Sequence, residues 1–269
     1  MKTRAITGFF FLIIMVGSLL LGDKVFSVFY LLLSTATLFE FYKLIKKAGI
    51  RPHIIIGLIA AVLVFGLSAL FFYIKFDLKY LLLIIPIVFS VFITELYKKS
   101  KIPFGNISYT FVGFIFITIP FIFFHALGFL FNGGDFNWKL PLGFLCMLWA
   151  NDTGAYLFGV KFGKRKLFER HSPKKSWEGF FGGILTSMLV AYIFSQQFHQ
   201  LPLLGWLGMA IIISTFGTLG DLVESMLKRS FDTKDSGSLL PGHGGLLDRF
   251  DGLLLSAPIV YVYVYLFIN

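Results

Sequence analysis

Across 269 residues the chain is 57% hydrophobic and only 14% charged, against about 25% charged in soluble domains; a soluble globular fold is excluded. Its apolar residues come in runs of roughly 18 or more, long enough to cross a bilayer core, so the chain reads as an all-α, polytopic integral membrane protein. The formal net charge of +10 sits between those runs, where membrane topology accounts for it and no nucleic-acid partner is expected.

The first run, Ala5 to Gly22, follows Lys2 and Arg4 and resembles a signal peptide superficially. It has no clear small-residue cleavage site and further spans follow at once, so it reads as a retained helix. About nine spans are expected, near 5–22, 24–45, 53–73, 78–97, 103–131, 140–160, 177–198, 201–227 and 252–268. Only Gly22-Asp23-Lys24 separates the first two, which makes a tight hairpin there. The fifth is long enough to contain a break at Pro120. The lone Cys146 lies inside the sixth and rules out an internal disulfide. No tandem repeat or long linker is visible, so residues 1–269 read as one membrane domain.

Nine spans put the termini on opposite sides. Of the 24 Lys and Arg, 20 fall on the side of the N-terminus, and only Lys24, Lys75, Lys79 and Lys139 on the other. The positive-inside rule then puts the N-terminus and both large polar loops in the cytoplasm and the C-terminus outside.

Three polar features share that cytoplasmic face. The first is Trp149-Ala-Asn151-Asp152-Thr-Gly-Ala-Tyr156, inside the sixth span. An Asp within an apolar helix is costly and by default faces a wet cavity or a partner; the plainer reading is a buried cluster fastening helices. Tyr156, four residues on, shares its face. The second is the loop Lys161–Glu178, ending His171-Ser-Pro-Lys174-Lys175-Ser176-Trp-Glu178. Its cations could simply contact lipid head groups, at about 1 kcal/mol each. Two Lys and a Ser directly before a helix also suit an anion, because first-turn amides and the positive dipole end point there. Gly179, Gly182 and Gly183 let a neighbouring helix approach closely.

The third is Ser225–Asp251, SMLKRSFDTKDSGSLLPGHGGLLDRFD. Asp221, Ser225 and Lys228 follow four- and three-residue steps and share one helix face. Glu224 stands four residues before Lys228 and suits an ordinary helix-surface ion pair. Asp248, Arg249 and Asp251 stand at the mouth of the last span, behind His243-Gly-Gly245, whose glycines permit positive φ or a close backbone approach. His243 without nearby Cys is a poor zinc signal, whereas carboxylates suit a hard cation such as Mg²⁺ shared with substrate phosphates. No Walker A pattern, kinase glycine loop or GxSxG elbow is present. From residues alone, these features point to metal-dependent phosphoryl or nucleotidyl transfer at the cytoplasmic interface, on a lipid substrate.

The third segment resembles the signature of the phosphatidate cytidylyltransferase (CDP-diacylglycerol synthase) family. It reads Ser225-x-x-Lys228-Arg229, four residues, Lys234-Asp235, then Pro241-x-His243-Gly-Gly245, two residues, Asp248-Arg249-x-Asp251. The stretches 151–156 and 171–179 are similar to the family's second recurrent region. Residues 150 to 251 carry the likeness; 1–140 match only as scaffold helices, leaving 141–269 as the catalytic part. The resemblance implies that CTP and phosphatidate give CDP-diacylglycerol and pyrophosphate with Mg²⁺, a second cation and a homodimer both being compatible with it. It implies Asp221 and Asp248 as metal ligands, joined by Asp251 and Asp152. Lys228, Arg229 and Lys234 would hold triphosphate or phosphatidate oxygens, and Lys174, Lys175 and Ser176 the remaining phosphates. Asn151, Ser225, Asp235, His243 and Arg249 complete the expected substrate-binding set.

Two other classes compete. A CTP-dependent lipid kinase would share the helices and basic loops but move the γ-phosphoryl group. A transporter would also put carboxylates between helices, but near the midplane and often in paired broken helices. The topology is directly testable. With Cys146→Ser as background, a Cys in the 161–176 loop should resist an impermeant maleimide until lysis, while one beside Asn269 should label from outside. A C-terminal Cys that labels only after lysis would overturn the nine-span count.

Overall fold

The computed structural model describes residues 2–74, 77–131, 134–237 and 244–268. Lipid offers a backbone no hydrogen-bond partners, so each apolar run closes its own N–H and C=O groups into a helix. In chain order the elements are α1 (Lys2–Leu20), α2 (Asp23–Lys47), α3 (Ile54–Ile74), α4 (Ile84–Leu96), α5 (Pro103–Gly113), α6 (Ile119–Leu127) and α7 (Lys139–Phe162). A short hairpin, β1 (Lys166–Phe168) and β2 (Ser172–Ser176), precedes α8 (Trp177–Gln197), α9 (Leu203–Ser230) and α10 (Leu247–Phe267).

The chain is an all-α integral membrane protein apart from that hairpin. Among the described residues, seven helical segments are long and apolar enough to cross a membrane: Asp23–Lys47, Ile54–Ile74, Lys79–Leu96, Pro103–Leu127, Trp177–Gln197, Leu203–Ser230 and Leu247–Phe267. The other two expected spans coincide with α1 and α7. The apolar part of α1 is short, Thr7–Leu20, and the apolar run of the continuous helix α7 is interrupted by Asn151, Asp152 and Thr153. Large apolar side chains point outward in stripes; Phe181, Leu185 and Leu189 on α8 are 60%, 60% and 61% exposed. Such a face suits contact with lipid.

The segment expected to break at Pro120 does not break. It widens into a π turn at Phe114–Thr118 between α5 and α6. Pro120 lacks an N–H, and its ring crowds the carbonyl four residues back; a π turn just upstream relieves both without ending the helix. The expected tight hairpin is present: α1 and α2 are joined at Gly22, whose φ of 102° suits only glycine comfortably.

The backbone divides into two compact units. One comprises Met1–His125 with Asp235–Leu247. In it Phe26, Tyr30, Phe121 and Phe124 form an aromatic core, and Tyr42 donates to the Thr110 carbonyl at 2.7 Å. A buried polar knot ties α3, α4 and α5: His53 Nε2 lies 2.7 Å from Glu95, and Asn106 Nδ2 donates to Glu95 at 2.7 Å.

The other unit comprises Ala126–Lys234 and Asp248–Asn269. Its centre is a glycine seam between α7 and α8. A Cβ on Gly154 would meet the Thr186 hydroxyl and stand 2.8 Å from the Gly182 carbonyl, and one on Gly179 would stand 2.7 Å from the Ala155 carbonyl. Small residues thus let two backbones come close enough for side chains on either helix to share one cavity. Gly154→Ala should cost about 1–3 kcal/mol by overpacking, read as a lower thermal midpoint in detergent. Gly66→Ala is the control, because a Cβ there meets nothing within 4 Å. It should be neutral, or stabilise by up to about 1 kcal/mol through helix propensity.

Candidate active site

The basic loop between α7 and α8 is ordered by its own hydrogen bonds. β1 and β2 pair antiparallel with Lys166 opposite Ser176. The Glu178 carboxylate accepts the amides of Lys164 and Arg165, at 3.1 and 3.3 Å. Ser176 caps α8, its Oγ accepting from the Gly179 N–H at 3.2 Å, and the Trp177 N–H donates to the Arg165 carbonyl at 3.0 Å. The helix end expected to receive an anion is therefore largely occupied by protein groups. The lysines beside it provide the positive charge instead.

Those lysines line a cavity of about 360 Å³. Asn151, Asp152, Lys174, Lys175, Ser176 and Asp221, all singled out in the sequence, lie on its wall, with Tyr156, Val160, Leu167 and Phe180 supplying an apolar side. Lys175 Nζ is 2.5 Å from Asp221 Oδ2, and Asp221 Oδ1 accepts from Ser225 Oγ at 3.2 Å. Asn151 Nδ2 leans toward Asp152 at 3.5 Å. Its Oδ1 packs toward Gly183 in the α7–α8 seam.

Next to Asp221 lies a second cluster. Asp221, Glu224 and Asp251 bring one carboxylate oxygen each to within 4.8 Å of one another. Gly220 makes this possible: a Cβ there would collide with the Asp251 carbonyl, so α9 and α10 touch backbone to backbone. Lys228 Nζ is 2.5 Å from Glu224 Oε2 and 2.6 Å from Asp248 Oδ1. Glu224 is fully buried, and its Oε1 has no hydrogen-bond partner among the described residues. Asp251 Oδ1 accepts the Gly252 amide at 2.7 Å, but no Lys or Arg among the described residues pairs with it. Close carboxylates with too few cations repel one another. A buried oxygen without a donor is costly, and a hard divalent cation relieves both; the donor set fits such an ion.

The expected sites distribute unevenly. Of the four carboxylates expected to hold metal, Asp221 and Asp251 belong to the close trio. Asp248 instead faces Lys228, and Asp152 lies on the cavity wall. Glu224, expected as a surface ion pair with Lys228, makes that pair in a buried setting and supplies the third member of the trio. The sequence signal for it was present: a second acid one turn after Asp221 on an apolar helix. Arg229 is exposed and donates to the Thr233 carbonyl at 3.0 Å. Lys234, Asp235 and Arg249 are exposed. Pro241 and His243 lie outside the described residues.

Comparison with known proteins adds three findings. The model of the Cytidylyltransferase family matches residues 2–267. A protein of Bacillus subtilis named phosphatidate cytidylyltransferase is 32% identical over 278 residues, covering 99% of this chain and 98% of its own. Proteins of the same name from Staphylococcus epidermidis and Staphylococcus aureus are 36% and 35% identical, each covering 97% of this chain and 98% of their own.

The carboxylate trio can be tested with metal alone. In detergent-purified protein, Glu224→Gln should weaken Mn²⁺ binding, followed by electron paramagnetic resonance, by about 10- to 100-fold, a typical loss when a group supporting a metal site is removed. Asp248→Asn should weaken it less. Equal losses from both would return Asp248 to the ligand set.

Proposed function

From the premise that the chain belongs to the cytidylyltransferase family, we propose its full reaction as follows. It is a nucleotidyltransferase: CTP and phosphatidate give CDP-diacylglycerol and pyrophosphate, a reaction supported by relatives named phosphatidate cytidylyltransferase. A phosphate oxygen of phosphatidate attacks the α-phosphorus of CTP. The new P–O–P link forms as the bond from that phosphorus to the α,β-bridging oxygen breaks, and pyrophosphate leaves with the electron pair. The attacking phosphate is already ionised at neutral pH, so no strong general base is required. Catalysis then rests on positioning and charge neutralisation.

The observation that carries this reading is the cation-lined cavity beside the buried, under-neutralised carboxylate trio. Asp221, Glu224 and Asp251 are the residues that would hold Mg²⁺, and a divalent cation bound there supplies positive charge to phosphate oxygens and leaving group. Lys174 and Lys175 bind phosphate oxygens in the cavity, the Lys175 ammonium turning from Asp221 to the incoming anion. Lys228 orients Glu224 and Asp248. Arg229, Lys234 and Arg249, all exposed, supply further cations for the triphosphate or the lipid phosphate. Asn151 shapes the wall, and Ser176 fixes the helix start behind it. Asp235 and His243 orient substrate groups. Residues 141–269 are the catalytic part and 1–140 the scaffold. We read the site as lying at the cytoplasmic end of a nine-span protein in a bacterial cytoplasmic membrane, with the N-terminus inside and the C-terminus outside.

The product of a radiolabelling experiment tests the class. With purified protein, phosphatidate and Mg²⁺, CTP labelled at the α-phosphate should place label in lipid, and γ-label should leave as pyrophosphate. Lipid carrying the γ-label instead would make the enzyme a kinase.

A further inference from the structure

A lone acid interrupts the apolar part of α2. In the stretch Leu38-Phe-Glu40-Phe-Tyr42, Glu40 is 3% exposed, and an ionisable group at such a place is functional by default. Its surroundings are unlike those of Glu95, which is held by a histidine and an asparagine. Glu40 holds the loop between α9 and α10 from both of its described sides. Oε1 accepts from Ser236 Oγ at 2.6 Å and from the Leu247 N–H at 3.1 Å; Oε2 accepts from the Leu246 N–H at 3.0 Å. Leu247 opens α10, so two of these donors are among the helix-start amides that have no partner within their own helix. A carboxylate at that end also meets the positive pole of the helix dipole.

The backbone is cut to fit. A Cβ on Gly237 would stand 2.6 Å from the Glu40 carboxyl carbon, and one on Gly245 would collide with Oε1. Gly244 has a φ of 84°, which turns the chain into that contact. The two glycines after His243 thus have separate uses: one turns the chain and the other clears room for a carboxylate.

We propose that Glu40 is a positioning residue for nucleotidyl transfer. It pins Ser236 to Leu246 and Leu247, and so fixes where α10 begins. The residue after Leu247 is Asp248, which pairs with Lys228. Asp251 of the carboxylate trio follows one turn later. Freeing the start of α10 lets both carboxylates wander, and about 1 Å of misplacement is enough to cost roughly 100-fold in rate. The inference rests on the cytidylyltransferase reading for its kinetic part only, because the pinning itself can be measured without substrate.

The test compares Glu40→Gln with wild type. An amide has one acceptor oxygen, and in either orientation its NH₂ would face an N–H of Leu246 or Leu247, so the pinning is lost while the shape is kept. Hydrogen exchange without ligand should speed up at least about ten-fold in residues 244–250, since these amides are released from protection. With CTP and phosphatidate, kcat should fall by about 10- to 100-fold, while KM for CTP changes by less than about three-fold. Glu40→Asp, which keeps the charge, should recover part of the rate. Glu95→Gln, which disturbs the other buried carboxylate of the same unit, should lower the thermal midpoint without changing kcat per folded molecule. Unchanged exchange at 244–250, or an unchanged kcat in Glu40→Gln, overturns the proposal. So does a Glu95→Gln loss of kcat equal to that of Glu40→Gln. If Glu40→Gln does not fold, Ser236→Ala, which removes one donor only, must speed the same exchange and lower kcat, or the proposal fails. Absence of nucleotidyl transfer in wild type would sink the functional reading and leave the exchange result standing.

Discussion

One ammonium group makes the meeting of α9 and α10 tolerable. Lys228 sits between Glu224 on one helix and Asp248 on the other, within 2.5 and 2.6 Å. Its side chain is only 13% exposed and those of its partners 0% and 11%. Two carboxylates facing each other across a helix contact in an apolar surround would push the helices apart. Removing one partner of a buried charge pair typically costs about 3–5 kcal/mol. The shared cation holds the C-terminal end of α9 to the start of α10, and Asp251 lies close to Asp221 across the same pair of helices. Even so the trio of Asp221, Glu224 and Asp251 remains short of positive charge, an arrangement that suits a bound cation.

The rest of the second unit is arranged around that pairing by removing side chains rather than adding them. Glycines at 154, 179, 182 and 183 bring α7 onto α8, and Gly220 brings α9 onto Asp251. Close backbones leave the polar side chains of α7 and α9 to converge on one cavity. The hairpin then presents Lys174 and Lys175 on paired backbone rather than on a loose loop. Small residues set the distances and the charged ones fill what is left.

Much of this was legible in the sequence. Apolar runs fix helices in lipid without ambiguity, because no other local structure satisfies the backbone there. The acids and lysines of 151–251 stood out against that background, and most of the described ones lie in one unit. What escaped had a common cause: pairing across chain distance. Glu224 read as a surface partner of Lys228, since helical spacing says which residues are neighbours but not what covers them. The pairing of Asp248, expected as a ligand, with Lys228 crosses from one helix to another, which spacing along the chain does not give. The hairpin in the 161–178 loop was missed because two very short strands carry almost no periodic signal. Pro120 was read correctly as a disturbance, but sequence does not say whether a helix answers by breaking or by widening.

The attachment of Glu40 to Ser236 spans 196 positions along the chain, and this has a bearing on how the protein is made. At about 5–20 residues per second, α2 leaves the ribosome some 10–40 seconds before the hydroxyl and amides that will receive its carboxylate exist. For that interval a charged group near the end of a nascent membrane helix has no protein partner of its final kind. It lies only a few residues before Lys43, Lys46 and Lys47, near enough to the aqueous boundary for water and head groups to serve. The first unit is completed only when residues 235–247 return to it, so the scaffold is sealed by the same segment that carries the signature. A chain that stalls or is cut before that point lacks the hydroxyl and amides that hold the Glu40 carboxylate in the finished molecule.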